Sequence, residues 1–393
     1  MDHRDIGQQL ELFTFSPLSP GCPIWLPKGM KVYNSLLQRI KKLNEANNHV
    51  EIRTPLIWKP ALYQTSGHLT HYSENMFSVN GEEDKSHWLK PMNCPGHMEL
   101  FKSSQWSYRD LPIGFAEYSP LHRNEVSGAI GGLTRCRCFC QDDAHVFCSD
   151  ETLQSEIIKI ISMVKEVYQS WFGMNFRAVL STRPAKFIGE AEKWDKAEAI
   201  LEQALKESNF ENIEISKGEG AFYGPKIDFI IKDSIEREWQ TATIQLDFQL
   251  PENFELEYQD VDNSPKRPIV IHRAIFGSFE RFIGILLEST QGKLPFWLAP
   301  VSVEILPISE KSFDYAHEIY NNLISKNIRA EIDKSNSTIS QKIVKGYNRC
   351  IPCLAIVGEK EKSNNTVMLK INQKQEILSL PIFISRMEDL NQI

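Results

Sequence analysis

The sequence has no long apolar segment. None of its apolar runs approaches the roughly 20 residues that a helix needs to cross a bilayer. Its first residues, Met-Asp-His-Arg-Asp, show neither the apolar core of a secretory leader nor the Arg-rich, acid-poor composition of a transit peptide. Internal repeats and low-complexity segments are also absent. These absences predict a cytoplasmic protein with no membrane association.

Positive charge is scarce. The formal net charge is −7 at pH 7, which argues against nucleic-acid binding through overall charge, because nonspecific RNA affinity comes from Lys and Arg on phosphates. Residues 301–393 carry a net charge of +1 and the remainder −8. Any RNA contact is therefore expected to use local basic patches, although a charge run is more often a solvated face. The candidates are Lys342, Lys345, Arg349, Lys360, Lys362 and Lys370.

A disulfide framework is absent as well. The eight cysteines are scattered unevenly, so we expect reduced thiols. Cys350-Ile-Pro-Cys353 is a single CxxC pair without a second pair, which is too few ligands for a complete zinc site. Structural thiols are the preferred interpretation of these two residues.

The most informative segment that is present runs from Arg135 to His145. Read with the period of a β-strand, one face carries cationic, aromatic, amide, carboxylate and imidazole side chains, and the other carries mainly cysteines. The residues of the polar face are Arg135, Arg137, Phe139, Gln141, Asp143 and His145. A core would leave such groups without partners, so the segment is either a binding surface or an ordinary solvent-facing strand. Just upstream, Arg123 and Glu125 precede a Gly-rich turn, which favours the binding surface.

Four segments resemble the threonyl-tRNA synthetases, a family of class II aminoacyl-tRNA synthetases. Arg123-Asn-Glu125 resembles the arginine-x-glutamate core of motif 2 in that class. Three further segments, 90–97, 218–228 and 271–282, follow in the order of the family. The resemblance extends from about Asp2 to the C-terminus. It implies a short form without the N-terminal editing region of many relatives. Such a chain would mischarge some tRNA with serine, depend on a separate editing factor, or be a shortened form of a longer protein.

Length and composition allow two domains. A chain of 393 residues with 41% hydrophobic content can build two cores. Residues 301–393 alternate strand and helix patterns, which predicts a compact α/β module with a largely parallel sheet. Apolar periodicity predicts helices near 31–46, 150–172, 195–208 and after Ser278. The resemblance implies an α+β fold: a class II antiparallel sheet flanked by helices in residues 1–299, followed by a smaller α/β anticodon-binding domain in residues 300–393.

The implied activity is threonine–tRNA ligation with ATP and Mg²⁺. Joining a carboxylate to the α-phosphate of ATP requires cations that hold two anions together. The resemblance assigns catalytic roles to Arg123, Lys226, Arg281 and His68, the last near the terminal ribose of tRNA. It places Arg123, Glu125, Arg135, Phe139, Gln240, Thr243, Ser278 and Arg281 around ATP. Taken alone, Arg281 next to Glu280 is more typical of an exposed helix face.

A zinc site is also implied. Cys94, His145 and His272 match the family's zinc ligands, but they lie 51 and 127 residues apart, so spacing alone indicates no site. The residues that match positions around threonine are Met92, Gln141, Asp143, Tyr223 and Gln245. Asp143 would receive the ammonium group of threonine, or would simply pair with Arg135 or Arg137.

Other matches concern assembly and tRNA. Pro55 resembles the motif 1 proline, whose segment forms the homodimer interface in this class. Asn336, Glu361 and Lys370 match anticodon-binding positions, and Lys370 replaces an arginine that many relatives carry there. Cys138 and Cys140 replace glycine and threonine on the strand face turned away from the site. A seryl-type or prolyl-type synthetase and a noncatalytic RNA-binding paralogue are the alternatives; the zinc ligands argue against the former, and the motif cations against the latter.

Overall fold

The computed structural model describes residues 1–81, 86–210, 213–221, 223–233, 236–371 and 374–392. Phe222, within the 218–228 segment, lies outside these ranges. The chain divides into two compact units, which we call unit 1 (residues 1–14, 24–36 and 286–393) and unit 2 (residues 15–23 and 37–285). Among the described residues, every helix is too short or too polar to cross a bilayer.

The α-helices of the described residues are, in chain order, α1 (His3–Gln9), α2 (Pro27–Ala46), α3 (Pro60–Thr65), α4 (His68–His71), α5 (Cys94–Lys102), α6 (Leu153–Lys165), α7 (Ala191–Glu207), α8 (Gln249–Asn253), α9 (Phe279–Thr290), α10 (Phe313–Ser325), α11 (Ile339–Asn348), α12 (Glu359–Asn364) and α13 (Leu380–Asn391).

The strands are β1 (Phe13–Phe15), β2 (Pro23–Trp25), β3 (His49–Glu51), β4 (Ile57–Trp58), β5 (Ser78–Asn80), β6 (Ser86–Leu89), β7 (Ile113–Glu117), β8 (Pro120–His122), β9 (Cys138–Cys148), β10 (Phe176–Ser181), β11 (Glu214–Ser216), β12 (Lys226–Lys232), β13 (Glu238–Asp247), β14 (Tyr258–Gln259), β15 (Pro265–Lys266), β16 (Ile269–Ser278), β17 (Val303–Pro307), β18 (Ala330–Ile332), β19 (Cys353–Val357), β20 (Thr366–Ile371) and β21 (Lys374–Ser379).

Unit 2 is built on a nine-stranded sheet. Its strand order is β11-β10-β12-β13-β16-β9-β7-β3, with β8 paired to β9. The pairs from β10 to β7 are antiparallel, and only β10–β11 and β3–β7 are parallel. α6 and α7 contribute buried apolar side chains, so helices flank the sheet. This architecture confirms the expected antiparallel sheet with flanking helices.

The central pair β9–β16 contains an irregularity that positions the segment after it. The register shifts between Ala274 and Ser278, and the carboxylate of Asp142 accepts the backbone N–H groups of Ile275 (2.8 Å) and Phe276 (2.9 Å) there. Buried Asp142 thus satisfies two donors that the interrupted ladder would otherwise leave unpaired. α9 begins directly after the bulge.

The period-two interpretation fails at the start of the segment. β9 begins at Cys138, so Arg135 and Arg137 precede the strand. Cys136 and Phe139, which strict alternation would separate, lie in one apolar cluster with Leu121. Alternation is restored further along, where Asp143 and His145 share a face.

In unit 1 a five-stranded sheet has the order β18-β17-β19-β20-β21. β17 pairs in parallel with β18 and β19, whereas β20 and β21 pair antiparallel. Helices cover both faces: α10 and α13 pack on one apolar cluster and α11 on another. The expected α/β module is present, but the sheet is mixed rather than largely parallel. β20 is antiparallel to β19 and β21 is antiparallel to β20, and antiparallel neighbours need no crossover helix between them.

Apolar periodicity located the long helices well. The predicted segments correspond to α2, α6, α7 and α9. Ile157, Ile160, Ile161 and Val164 of α6 are fully buried, as their spacing predicts. The boundaries differ by a few residues, and a π-helical turn, Glu166–Trp171, continues α6 toward the predicted end.

Candidate active site and metal centre

Three side chains with metal-binding atoms meet inside unit 2. Cys94 is the first residue of α5, and His145 and His272 oppose each other across β9 and β16 with ring centres 4.5 Å apart. All three are buried, and one ligand atom from each lies within 4.8 Å of the others. The fold therefore brings together residues that the sequence separates widely.

Asp247 fixes the orientation of His272. Its Oδ2 lies 2.8 Å from Nε2 of His272, while its Oδ1 accepts the backbone N–H groups of Gln249 (2.7 Å) and Leu250 (2.9 Å) at the start of α8. Burial disfavours a charged His272, but hydrogen bonds with Asp247 and Cys94 outweigh it and raise its pKa to about 10. At pH 7 the metal-free His272 is therefore protonated, and Nδ1, the nitrogen that Asp247 leaves open, would release its proton to bind a cation.

His145 has one nitrogen engaged and one open. Its Nδ1 lies 2.9 Å from Nδ1 of His97, and its buried Nε2 has no hydrogen-bond partner among the described residues. Burial holds the pKa of His145 well below its usual value, so the ring is neutral, as a metal ligand must be. One thiol and two imidazoles suit zinc, and three protein ligands are typical of a catalytic rather than a structural ion. These residues therefore fit a zinc ion.

Three of the residues expected around threonine, Tyr223, Gln245 and Asp143, lie next to this cluster. The Tyr223 ring lies 5.7 Å from that of His272, and its hydroxyl donates to Oε1 of Gln245 (3.0 Å). Gln245 is the register partner of His272. Asp143 lies two residues before His145, and its Oδ2 accepts from Nδ2 of Asn93 (3.0 Å).

Asp143 is not paired with either neighbouring arginine in the way that the alternative interpretation suggested. Arg135 Nε instead donates to Oε2 of Glu125 (2.9 Å), and Arg137 Nε to the backbone carbonyl of Glu125 (2.9 Å). Glu125 therefore orients both arginines, and Asp143 stays directed toward Asn93. Gln141, the remaining threonine candidate on β9, pairs in register with Ser278 beyond the bulge.

Arg123 rests on an aromatic face. Its guanidinium carbon lies 5.0 Å from the centre of the Phe139 ring, and its Nε donates to the carbonyl of Pro91 (3.2 Å). The Arg123 backbone N–H donates to Arg137 across the turn. Half-buried Arg123 is thus held by three contacts on neighbouring segments.

Lys226 belongs to a polar group gathered on one carboxylate. Its Nζ lies 2.8 Å from Oδ2 of Asp228, whose Oδ1 accepts from Gln240 (2.6 Å) and Thr243 (3.1 Å). β12 places Lys226 and Asp228 on the same face, and β13 supplies the other two. Three predicted site residues, Lys226, Gln240 and Thr243, therefore contact the carboxylate of Asp228, which we did not predict as a site residue.

Arg281 lies against an aromatic ring, not on a fully exposed helix face. Its guanidinium carbon is 5.4 Å from the Trp239 ring centre, and Nη1 donates to the carbonyl of Thr134 (3.3 Å). Burial, followed by repulsion from Arg135, lowers its pKa. Its neighbour Glu280 is buried and accepts the backbone N–H of Cys140 (2.9 Å), which ties α9 to β9.

His68 lies beside the metal cluster. Its Nδ1 is 2.9 Å from Oγ of Ser66 and its Nε2 is 3.4 Å from Sδ of Met92. Burial lowers its pKa to about 4. A mostly apolar cavity of about 250 Å³ is lined by His68, Tyr72, Met92, Cys94 and Tyr223, among others. His68 and two of the threonine candidates, Met92 and Tyr223, therefore face one space.

The anticodon candidates lie on three separate elements of unit 1. Asn336 is exposed in the loop before α11, and Lys370 is half-buried on β20. Glu361 is buried, and its Oε2 accepts the backbone N–H of Gly358 (2.9 Å) at the start of α12. One basic-patch candidate, Lys342, is also buried and donates to the carbonyls of Pro307 and Asp333 (both 3.1 Å). Lys342 is therefore excluded from a surface patch.

Sequence reasoning missed four residues that organise the site: Asn93, Asp228, Trp239 and Asp247. Asp228 carried a signal, since it lies two residues after Lys226 and must share its face of β12. The other three act on partners 25 to 50 residues away, such as Asp247 on His272 and Asn93 on Asp143. Alternation along β13 places Asp247 on the polar face with Gln245, but no local pattern identifies these distant partners.

Two family models match the chain. Residues 77–290 match the tRNA synthetase class II core domain (G, H, P, S and T), and residues 302–383 match an anticodon binding domain. Threonine–tRNA ligase of Petrotoga mobilis is 45% identical over 377 residues, which cover 96% of this chain. The chain belongs to the threonyl-tRNA synthetase family. Threonine–tRNA ligase 2 of Bacillus subtilis is likewise 45% identical, over 94% of this chain.

The chain spans 58% and 57% of the length of these two synthetases. The crystal structure of the RNA binding domain of threonyl-tRNA synthetase from Cryptosporidium parvum Iowa II is 41% identical, with a TM-score of 0.95; the match covers 99% of this chain and 98% of that one. Prolyl-tRNA synthetase from Giardia lamblia, at 16% identity and a TM-score of 0.77, shares the fold over 99% of this chain and 80% of its own.

Proposed function

We propose that this chain is a threonine–tRNA ligase. It would join threonine to ATP, giving threonyl-adenylate and pyrophosphate, and then transfer the threonyl group to the 3′ end of threonine tRNA with release of AMP. The observation that carries the proposal is the buried cluster of Cys94, His145 and His272 next to Tyr223 and Asp143. This ligand set favours a substrate whose hydroxyl group can bind a metal. Proline has no such group, so the shared fold does not make a prolyl-type synthetase the better alternative.

Activation is assigned to the cations. Arg123 would bridge the threonine carboxylate and the α-phosphate, because a planar guanidinium can contact two oxygens at once. Lys226 would neutralise the same region, and Arg281 would lie along the adenine and γ-phosphate. Arg135, oriented by Glu125, would hold the outer phosphates together with Mg²⁺. Gln240, Thr243 and Ser278 complete the proposed ATP site.

Threonine selection is assigned to the metal centre and its surroundings. Zinc, when bound, offers open coordination positions for the amino and hydroxyl groups of threonine. Asp143 would receive the ammonium group, while Met92, Gln141, Tyr223 and Gln245 shape the pocket. Valine lacks the hydroxyl and is rejected strongly, whereas serine lacks only a methyl group, which is worth about 1–3 kcal/mol. Serine would therefore be mischarged at times, and a separate editing factor is a proposed partner.

Transfer is assigned to His68. Burial keeps the imidazole neutral at pH 7, so it can accept a proton from the terminal ribose hydroxyl as that oxygen attacks the adenylate. Its position beside Met92 places it next to the proposed threonine pocket.

Assembly and location are also proposed. Val50, Leu56 and Ile57, on either side of Pro55, are 47%, 38% and 48% exposed, which suits a homodimer interface. The anticodon would be read in residues 300–393 by Asn336 and Lys370, while buried Glu361 would act through the start of α12 that it caps. Residues 1–299 would form the catalytic domain. All eight cysteines are thiols rather than disulfides, which suits the reducing cytoplasm.

Threonine-dependent ATP–pyrophosphate exchange tests the proposal. Exchange is measured with threonine, serine and valine in parallel, and total zinc is quantified in the same preparation. The proposal expects strong exchange with threonine, weaker exchange with serine, none with valine and about one zinc per chain. Arg123→Ala, which removes the bridging cation, is the matched negative control. No exchange with any amino acid in zinc-loaded protein would contradict the proposal and favour a noncatalytic RNA-binding role.

A further inference from the structure

A buried carboxylate in unit 2, Glu117, has every one of its acceptor sites used. Its Oε1 accepts from the Thr54 backbone (2.9 Å), Lys90 Nζ (2.7 Å) and Ser119 Oγ (2.6 Å). Its Oε2 accepts from Thr54 Oγ1 (2.8 Å) and from Nε2 of His97 (3.0 Å). Burial opposes the charge, but hydrogen bonds from His97, Lys90 and Ser119 outweigh it and hold the pKa of Glu117 at about 2.

All the hydrogen-bond donors of the Lys90 ammonium group also have partners. It is 1% exposed, and its Nζ donates to Glu117, to Thr54 Oγ1 (2.9 Å) and to Ser119 Oγ (2.6 Å). The three protons of the ammonium group thus have three acceptors. A buried ion pair contributes little net stability by itself. A buried network in which every donor and acceptor is paired can instead fix one arrangement of its side chains.

His97 connects this pair to the metal centre. Its Nε2 faces Glu117, and its Nδ1 lies 2.9 Å from Nδ1 of His145. An ionised carboxylate only accepts, so the proton of a neutral His97 is on Nε2 and its Nδ1 is an acceptor. The proton between the two rings then belongs to Nδ1 of His145. Nε2 of His145 consequently carries a bare lone pair, and it is the buried atom without a partner among the described residues.

We propose that the chain of hydrogen bonds Lys90–Glu117–His97–His145 selects the tautomer of His145 that can bind zinc, and that His97 is a positioning residue for metal retention. In the other tautomer Nε2 would carry a proton and could not coordinate a cation. Carboxylates that orient metal-bound histidines usually contact them directly; here a second imidazole transmits the effect over one more residue. The inference rests on the zinc site of the proposed function and adds residues to which that proposal gives no role.

Zinc affinity of the full-length protein, measured by competition with a chromophoric chelator, tests this proposal. His97→Phe keeps a ring of similar size but removes both hydrogen bonds, and we expect about 10–100-fold weaker zinc binding. His97→Gln offers one amide donor and one carbonyl acceptor, so it should recover part of the affinity. Phe115→Leu is the matched control, because the Phe115 ring packs 6.3 Å from that of His97 without a hydrogen bond. Its zinc affinity should equal that of the wild type.

A second readout is independent of zinc. Ring ¹⁵N chemical shifts of His145 in metal-free protein should place its proton on Nδ1 in the wild type and show loss of this preference in His97→Phe. If His97→Phe does not fold, the double variant Lys90→Met/Glu117→Gln removes both charges together, and a glutamine at 117 no longer fixes the His97 proton. It should also weaken zinc binding.

The outcomes separate the two proposals. Wild-type protein that binds zinc, together with a His97→Phe variant that binds it equally tightly, overturns the positioning role and leaves the zinc site standing. Wild-type protein that takes up no zinc overturns the zinc site, while the ¹⁵N measurement still decides whether His97 sets the His145 tautomer.

Discussion

The guanidinium of Arg123 lies 5.0 Å from the centre of the Phe139 ring, so the side chain proposed to meet the α-phosphate is supported by an aromatic face. A cation on an aromatic ring gains about 0.5–1 kcal/mol, which corresponds to a factor of about 2–5 in rate. Phe139→Leu should therefore reduce threonine-dependent exchange by that factor. Phe139→Tyr keeps the ring and should retain the wild-type rate. An equal loss in both variants would show that the ring face is not the supporting feature.

Metal removal should abolish amino-acid recognition. Cys94→Ser replaces a thiolate, the strongest zinc donor of the cluster, by a hydroxyl, so bound zinc should fall from about one per chain to near zero and exchange should fall with it. Cys22→Ser changes a half-buried cysteine outside the cluster and should keep both zinc and activity. Full exchange activity in zinc-free Cys94→Ser protein would contradict this role.

The rate of the transfer step should stay constant to a lower pH than an ordinary histidine with a pKa of 6.5 would permit. Burial lowers the pKa of His68 to about 4, and the ring accepts a proton only when neutral. The single-turnover transfer rate from preformed adenylate should therefore stay level from pH 7 to pH 5 and fall only as the pH approaches 4. His68→Ala should slow transfer by about 10²–10⁴-fold, whereas His317→Ala, an exposed histidine on α10, should not. A midpoint near pH 6.5 would contradict the assignment.

Stability should decrease on acidification partly through His49. Burial, followed by repulsion from Arg273, lowers the pKa of His49 from 6.5 to about 2. The folded state thus disfavours the proton: this contribution is complete above pH 6.5 and is lost as the pH falls from 6.5 toward 2, at roughly 1.4 kcal/mol per pH unit.

His49→Asn keeps an acceptor for the Arg273 guanidinium, which lies 2.8 Å from Nδ1 of His49, but does not titrate. The midpoint of thermal unfolding, followed by circular dichroism at pH 7 and pH 5, should therefore drop less in this variant than in the wild type. Some pH dependence of the unfolding midpoint should remain in His49→Asn, because other buried histidines also titrate. An identical drop in both proteins would show that His49 does not carry the effect.

Lys370→Arg should improve the use of tRNA without changing amino-acid activation. A guanidinium makes a forked contact to a base edge that an ammonium group does not, so the KM for threonine tRNA should fall. Exchange without tRNA should remain at the wild-type rate. An unchanged KM would remove Lys370 from the proposed anticodon contacts.

The sequence predicted helices and strands better than it predicted which of them pack or pair with one another. Apolar spacing located α6 and α9, because a helix face is determined by residues three and four apart. Alternation along β9 correctly placed Asp143 and His145 on one face but failed at Arg135, where the chain bends before the strand begins. A local pattern contains no information on which strands become neighbours.

The contacts between distant residues show the same limit. The burial of Lys342 and the capping bond of Glu361 depend on backbone groups that only the folded module brings near. The resemblance supplied Cys94, His145 and His272 as a set. It gave no indication that Asp247 and His97 hold the two rings in place.

The ligands of the proposed metal centre also constrain the order of events during synthesis. Cys94 begins a helix, while His145 and His272 lie on strands that pair only after residue 272 of the 393 has been made. Pairing of such distant strands is intrinsically slow. A nascent chain that has not yet produced β16 contains only two of the three ligands. Zinc uptake by ribosome-bound chains would therefore report when β16 pairs with β9.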